Sequence, residues 1–197
     1  MSTAAEAVRV EQRRVAYPNG WWGMAIFSAS ETMLFGLLLG TYWYLRFRAV
    51  HWPPPGIESP KVLLPLLLTG VLVASSVPIQ LASRAARAGR LGAVRGALIV
   101  ALVTQASYFG VQIHLFLADL DKLTPQQGAY GSIYFTLVGA HHAHVALGVL
   151  LDLWLLLRLA GGFTTYRLNG LRATAFYWHF VNALAILVVL TQVSPSL

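Results

Sequence analysis

Side chains that could hold a proton or a metal stand inside long apolar stretches of this chain: Glu31, His114, His141, His142, His144, Asp152 and His179. Gln105, Gln112 and Asn182 are their neutral company. In the stretch "GAHHAHVALG", His141 and His144 are three residues apart and share a helix face, while His142 points about 100° away. Two readings are open. As a metal or haem site, the pair would clamp one ion and need a third ligand at the same depth. His114 lies near the outer end of its stretch and His179 in the inner half of its own, so neither is placed to complete the set. As packing residues, the imidazoles would hydrogen-bond between helices, as buried polar groups generally do. The spacing favours this second reading.

Glu31 poses the sharper question, because "GWWGMAIFSASETMLFGLLLGTYWYL" holds no other acid. A carboxylate near a bilayer centre costs roughly 2.5–3.5 kcal/mol even on the lenient insertion scale. As a proton carrier Glu31 would line a water path with further acids stepping across the membrane. The chain offers only Asp152, on another stretch, about 16 Å along the helix from His141 and at nearly the same angle. As a structural or modulatory group Glu31 would hydrogen-bond across helices, and a straight-helix estimate puts it at the depth of the histidine pair. The expectation is therefore a buried functional carboxylate held near the His141/His144 face. Around it, His141, His144, His179, Asp152 and Asn182 form the expected buried polar cluster.

The elements that must position these groups follow from composition. Of 197 residues 57% are hydrophobic and only 11% charged, about half the charge of a soluble domain. A hydrocarbon core of about 30 Å takes roughly 20 apolar residues per helix. Five runs qualify, near 20–45, 61–83, 92–118, 129–158 and 172–193. They predict an all-α, single-domain bundle of five transmembrane helices spanning 1–197, preceded by a polar arm over 1–19 that carries Glu6, Arg9, Glu11, Arg13 and Arg14. That arm has no separate apolar core and reads as an uncleaved lead-in rather than a signal peptide.

Cysteine is absent from the sequence, which excludes disulfides, thiolate-held iron–sulfur clusters and covalently attached haem in this chain. The net charge of +7 is topological. Arg9, Arg13, Arg14, Arg84, Arg87, Arg90, Arg95, Arg158, Arg167 and Arg172 fall on one side. Arg46, Arg48, Lys61 and Lys122, offset by Glu58, Asp119 and Asp121, fall on the other. The positive-inside rule then places the N-terminus in the cytoplasm and the C-terminus outside, and nucleic acid is not needed as a partner. Arg84, Arg87 and Arg158 on the inner side are candidates for anionic lipid. Pro65 and Pro78 predict kinks in the second span. Gly36/Gly40 and Gly92/Gly96 give the small-xxx-small spacing of close helix packing, within the chain or against a partner.

The motifs, taken in order, resemble subunit III of the haem–copper terminal oxidases across essentially all five spans. "WGMAIFSASETMLFGLLLGTYW" is similar to that family's first shared helix, with Glu31 on its buried carboxylate. "WPPPGI" and "PLLLTGVLVASS" resemble its next loop and helix. "YGSIYFTLVGAHHAHVALG" resembles the family's "YGS…FF…TG.HG.HV..G", placing His141 and His144 on its two histidines, and "FYWHFVNA" resembles "WYWHFVD", with His179 on the third. The resemblance implies a subunit without haem or copper of its own and without an active site, in its five-helix bacterial form, in the bacterial cytoplasmic membrane. It implies partners: the large catalytic subunit I as main contact, subunit II and other oxidase subunits carrying haem and copper, and bound phospholipid. The role implied is support of assembly, lipid binding and proton uptake in a complex that reduces oxygen to water and pumps protons.

Three positions depart from the family pattern. Asn182 stands where an aspartate is usual, His142 replaces the glycine of "HGxH", and span three offers Gln112 and His114 where a glutamine and a glutamate are expected. Two alternatives remain at this level: a subunit-III-like accessory of nitric oxide reductase, and an independent transporter with Glu31 and Asp152 as coupling carboxylates. The absence of an inverted repeat counts against the transporter.

Overall fold

Pro78 decides the shape of the second span. It has no N–H for the Ala74 carbonyl and its ring crowds that carbonyl, and the helix is interrupted at Ser75. A computed structural model describes residues 19–58, 60–162 and 164–196; the charged lead-in with Glu6, Arg9, Glu11, Arg13 and Arg14 lies outside the described residues. The helices are α1 (Asn19–Arg48), α2 (Leu63–Ala74), α3 (Ser76–Arg87), α4 (Leu91–Leu120), α5 (Ala129–Leu159) and α6 (Thr165–Val193), followed by a 3-10 turn at Ser194–Ser196. Pro65, the other expected kink, is the third residue of α2, where a missing N–H has no intrahelical partner to lose. The helix runs on through it.

Among the described residues, five stretches are long and apolar enough to cross a bilayer: Asn19–Arg48, Leu63–Arg87, Leu91–Leu120, Ala129–Leu159 and Leu168–Val193. The described residues contain no strand. The chain is an all-helical, multi-pass membrane protein with the five spans that hydropathy predicts. Most of the last span is buried and little of the first. The contacts explain why: α6 packs on α1, α2, α3 and α5, while α4 closes the other side against α2, α3 and α5.

Helix ends are sealed by identifiable groups. Gly89 takes φ 69 after α3, and the amides of Gly89 and Arg90 return to the carbonyls of Ala86 (3.1 Å) and Ala85 (3.0 Å). This is the Schellman closure that a left-handed glycine permits. Arg95 of α4 closes the end of α5, its guanidinium donating to Leu159 O at 3.1 and 2.6 Å and to Ala160 O at 2.9 Å. At the opposite face of the bundle, Tyr42 Oη donates to Thr191 O at 2.7 Å and Arg46 Nη2 to Ser194 O at 2.8 Å. Both closures set a cation at the negative end of a helix dipole.

A close approach of α6 to α5 is made at Gly148. A Cβ there would stand 2.5 Å from Cζ3 and 2.6 Å from Cε3 of Trp178. Trp178 is fully buried, and its Nε1 donates to Ser75 Oγ at 2.8 Å, so the ring cannot swing aside. By contrast, a Cβ on Gly36, Gly40, Gly92 or Gly96 meets nothing within 4 Å. Among the described residues, the small-residue spacing read from the sequence is therefore not used for close packing.

Gly148→Ala is expected to lower the thermal unfolding midpoint of the purified protein in mild detergent, by an overpacking cost of about 1–3 kcal/mol. Gly110→Ala, at an open helical position, should leave the midpoint unchanged or raise it slightly. Equal midpoints for the two variants would mean that the Gly148–Trp178 contact does not set the α5–α6 distance.

Candidate functional site

Along α1 the residues turned into the bundle are Ser28, Phe35 and Tyr42, seven apart, and Glu31 lies between the first two on the same side. Across from it, α5 presents His144. Glu31 Oε2 and His144 Nε2 are 3.0 Å apart. The other ring nitrogen, Nδ1, lies 2.7 Å from the Ala140 carbonyl of its own helix. A carbonyl oxygen only accepts, so Nδ1 carries a proton. The pair then shares one further proton, held either by the carboxyl donating to a neutral imidazole or by an imidazolium donating to a carboxylate. In both forms the pair has no net charge, which is what makes it tolerable in a bilayer.

Three aromatic side chains shape this pair. The Phe35 ring meets the His144 ring edge-on at 5.1 Å. Tyr177 of α6 donates from Oη to the His144 carbonyl at 3.1 Å, and its ring lies 6.1 Å from that of Phe27. Tyr177 and Phe35 are nearly sealed from the surface, whereas Glu31 and His144 keep 21% and 12% of their side-chain exposure. The pair thus sits at the rim of the α1–α5 seam with one edge open. The sequence reading named neither Phe35 nor Tyr177; the signals available were the four-residue spacing of Phe35 from Glu31 and the place of Tyr177 in "FYWHFVNA".

The residues expected as one cluster do not converge. His141 is 4% exposed, and neither of its ring nitrogens has a hydrogen-bond partner among the described residues. An i,i+3 offset leaves about 60° between two side-chain directions; that is enough to aim His144 at Glu31 and leave His141 within the packing. His142 turns to α4, its ring edge-on to Phe116 at 5.2 Å. His179 faces α3, with its Nε2 2.6 Å from Gln80 Nε2. Asn182 donates from Nδ2 to Ser76 Oγ. Asp152 is 1% exposed against Gln105 of α4, with both carboxylate oxygens and both amide termini outside hydrogen-bond geometry. His114 is exposed on α4. Among the described residues no three metal-ligating side chains gather.

Asp152 also stands apart from Glu31. It lies eight residues beyond His144 on α5, about 12 Å along the axis, too far for direct proton exchange with the pair. Of the candidate lipid contacts, Arg84 and Arg87 end α3 as exposed residues. The Arg158 guanidinium lies over the Trp154 ring at 4.9 Å. Gln80 and Ser75 are the polar partners that sequence reasoning missed, and Gln105 was named as neutral company without its place beside Asp152. Each lies on a helix whose rotation only the assembled bundle fixes.

The comparisons with known proteins agree with one another. The family model described as cytochrome c oxidase subunit III matches residues 5–193. Cytochrome c oxidase subunit 3 of Papio hamadryas is 32% identical over 173 residues, which cover 83% of this chain and 64% of the relative. The protein of the same description from Mus musculus is 31% identical over 168 residues, covering 82% and 64%. That from Thermostichus vulcanus is 27% identical over 168 residues, covering 84% and 82%. The chain spans just under two thirds of the length of the mammalian relatives.

The Glu31–His144 bond is expected to show coupling in a double-substitution cycle. His144→Leu leaves the Glu31 carboxyl without its partner and should lower the thermal midpoint in detergent more than Glu31→Gln does. Adding Glu31→Gln to His144→Leu should recover part of that loss, with a coupling energy of about 0.5–3 kcal/mol. Strictly additive effects would show that the two side chains do not interact in the folded protein.

Proposed function

The chain belongs to the cytochrome c oxidase subunit III family, and on that premise we propose that it serves as the non-catalytic subunit III of a respiratory haem–copper oxidase in a bacterial cytoplasmic membrane, with its N-terminus inside. In this reading the haem and copper that carry electrons and reduce oxygen belong to the partner subunits I and II. This chain contributes assembly, lipid binding and support of proton uptake, and forms one membrane domain.

The observation that carries the proposal is the Glu31–His144 pair. The carboxyl that the family pattern marks is bonded to the histidine of the span-four motif, and the pair holds one exchangeable proton while remaining neutral overall. It suits a modulatory element beside a proton path better than a station on one, because the second buried acid, Asp152, lies eight residues along α5 from His144, about 12 Å away along the axis. Arg84 and Arg87, exposed at the arginine-rich end of α3, suit phosphate headgroups of anionic lipid, and Arg158 over Trp154 places another cation at the same end of the bundle.

A mild-detergent purification through a tag on the C-terminus tests the assignment. A large haem-bearing polytopic subunit should co-purify, visible in the absorption spectrum and identified by mass. A colourless chain emerging alone would overturn it. Within the intact complex, Glu31→Gln is expected to leave haem content and initial oxygen-reduction rate near wild type, and to shorten the operational lifetime or lower the pumping ratio. If lifetime, pumping ratio and rate all stay unchanged, Glu31 has no role in turnover.

A further inference from the structure

The bundle carries a second hydrogen-bonded polar pair at membrane depth, and this one faces outward. His179 is eleven residues from Leu168, about 16 Å into its span, and Gln80 is seven residues from Arg87, about 10 Å into its own. Both depths fall inside the hydrocarbon layer. Gln80 is exposed and His179 only half-buried. Apolar side chains flank the pair, with Val77 and Leu81 on α3 58% and 51% exposed and Ile186 and Leu187 on α6 44% and 46% exposed, and exposed Arg84 follows one turn on toward the end of α3. The polar pair is therefore a marked spot on a face that otherwise suits lipid.

Its hydrogen bonding is incomplete. With the Gln80 amide nitrogen donating to His179 Nε2, the ring proton of a neutral imidazole resides on Nδ1, and no described residue accepts it. One turn outward on the same seam, Asn182 gives its Nδ2 to Ser76 while its buried Oδ1 has no partner. Acyl chains supply no hydrogen-bonding atoms, so a lipid-covered Nδ1–H would pay the full cost of an unsatisfied donor. A neighbouring helix with an oxygen at that depth removes that cost, as polar side chains do between membrane helices.

We propose that the outer face of α3 and α6, centred on His179 and Gln80, docks a transmembrane helix of another subunit, which presents a hydroxyl, amide or carbonyl oxygen to His179 Nδ1. The inference rests on the reading of this chain as a subunit of a larger membrane complex and adds which face is covered. The comparison surface is the outward face of α5, a helix that makes no close contact with α3 and on which Leu150 is 60% exposed.

Photo-crosslinking in membranes that contain the intact complex decides the matter. p-Benzoylphenylalanine is introduced singly at Val77 and at Ala183, beside the polar pair, and at Leu150 as the comparison. Adducts from Val77 and Ala183 with the mass of another polytopic subunit, and none from Leu150, are the expected result. Adducts only with lipid at Val77 and Ala183, while the partner still co-purifies, would overturn the docking face and leave the subunit reading standing. If no partner co-purifies, the subunit reading fails and the inference falls with it. In the same complex His179→Leu should reduce the partner retained through a detergent titration by roughly threefold to thirtyfold, the range of one interhelical hydrogen bond in a membrane. His179→Gln, which keeps a donor, should retain most of it. Equal retention in both variants would show that His179 makes no hydrogen bond across the interface.

Discussion

The seating of Trp178 is the contact on which the rest of the bundle depends. Its ring lies over Gly148, fixing how near α6 comes to α5, and its indole N–H reaches Ser75, the residue at which Pro78 breaks span two. One side chain thus joins three helices at mid-membrane. Its neighbours along α6 inherit their directions from that placement. Tyr177 must point to the His144 carbonyl, His179 to Gln80, and Asn182 to Ser76. The motif "YWHFVN" works as a distributor: successive residues 100° apart on a central helix address different partners around it. The Glu31–His144 pair is downstream of this arrangement, because Gly148, seated under Trp178, lies one turn from His144 on nearly the same side of α5 and so helps to fix the rotation that turns His144 toward α1.

A bilayer explains why such a distributor is needed. Between apolar helices in lipid there is no hydrophobic gain from association, so close packing and hydrogen bonds must specify the arrangement. Ser75 serves both purposes. Its hydroxyl donates to Leu72 O within its own helix and accepts from Trp178, and the helix interruption sits at its own position. The break caused by a proline is thereby converted into a docking point. At the helix ends the same shortage of solvent is met by Arg95 and Arg46, which bring cations to carbonyls that lack helical donors.

The five spans were legible in the sequence because hydropathy and length are properties of single helices. The pairing of Glu31 with His144 was half legible. Depth can be counted from the span ends, and the count put both at one level; the choice of His144 over His141 depended on a rotation of about 60° that no single helix reveals. The grouping of His141, His144, His179, Asp152 and Asn182 rested on polarity alone, and the bundle scatters them because α5 and α6 each address several neighbours. Gln80 went unremarked for the opposite reason, and Gln105 was named only as neutral company. A lone glutamine in an apolar run carries no spacing signal, and its meaning appears only when a histidine or an aspartate on another helix stands against it.

The departures from the family pattern become intelligible as packing chemistry. At position 182 the interaction formed is donation from an amide nitrogen to Ser76 Oγ. An aspartate has no proton to give there unless it is itself protonated, and would have to accept from the serine instead. Asparagine therefore keeps the α3–α6 joint while reversing the direction of its hydrogen bond and removing an ionisable group from mid-membrane. At position 142 a glycine would let helices approach closely, whereas His142 fills the space with a ring set edge-on against Phe116. At this position the contact between α4 and α5 is then an aromatic edge. Both changes exchange one means of holding two helices together for another and leave the Glu31–His144 bond untouched. The Glu31–His144 bond therefore stands in a bundle whose neighbouring helix contacts are made by an amide and by aromatic edges.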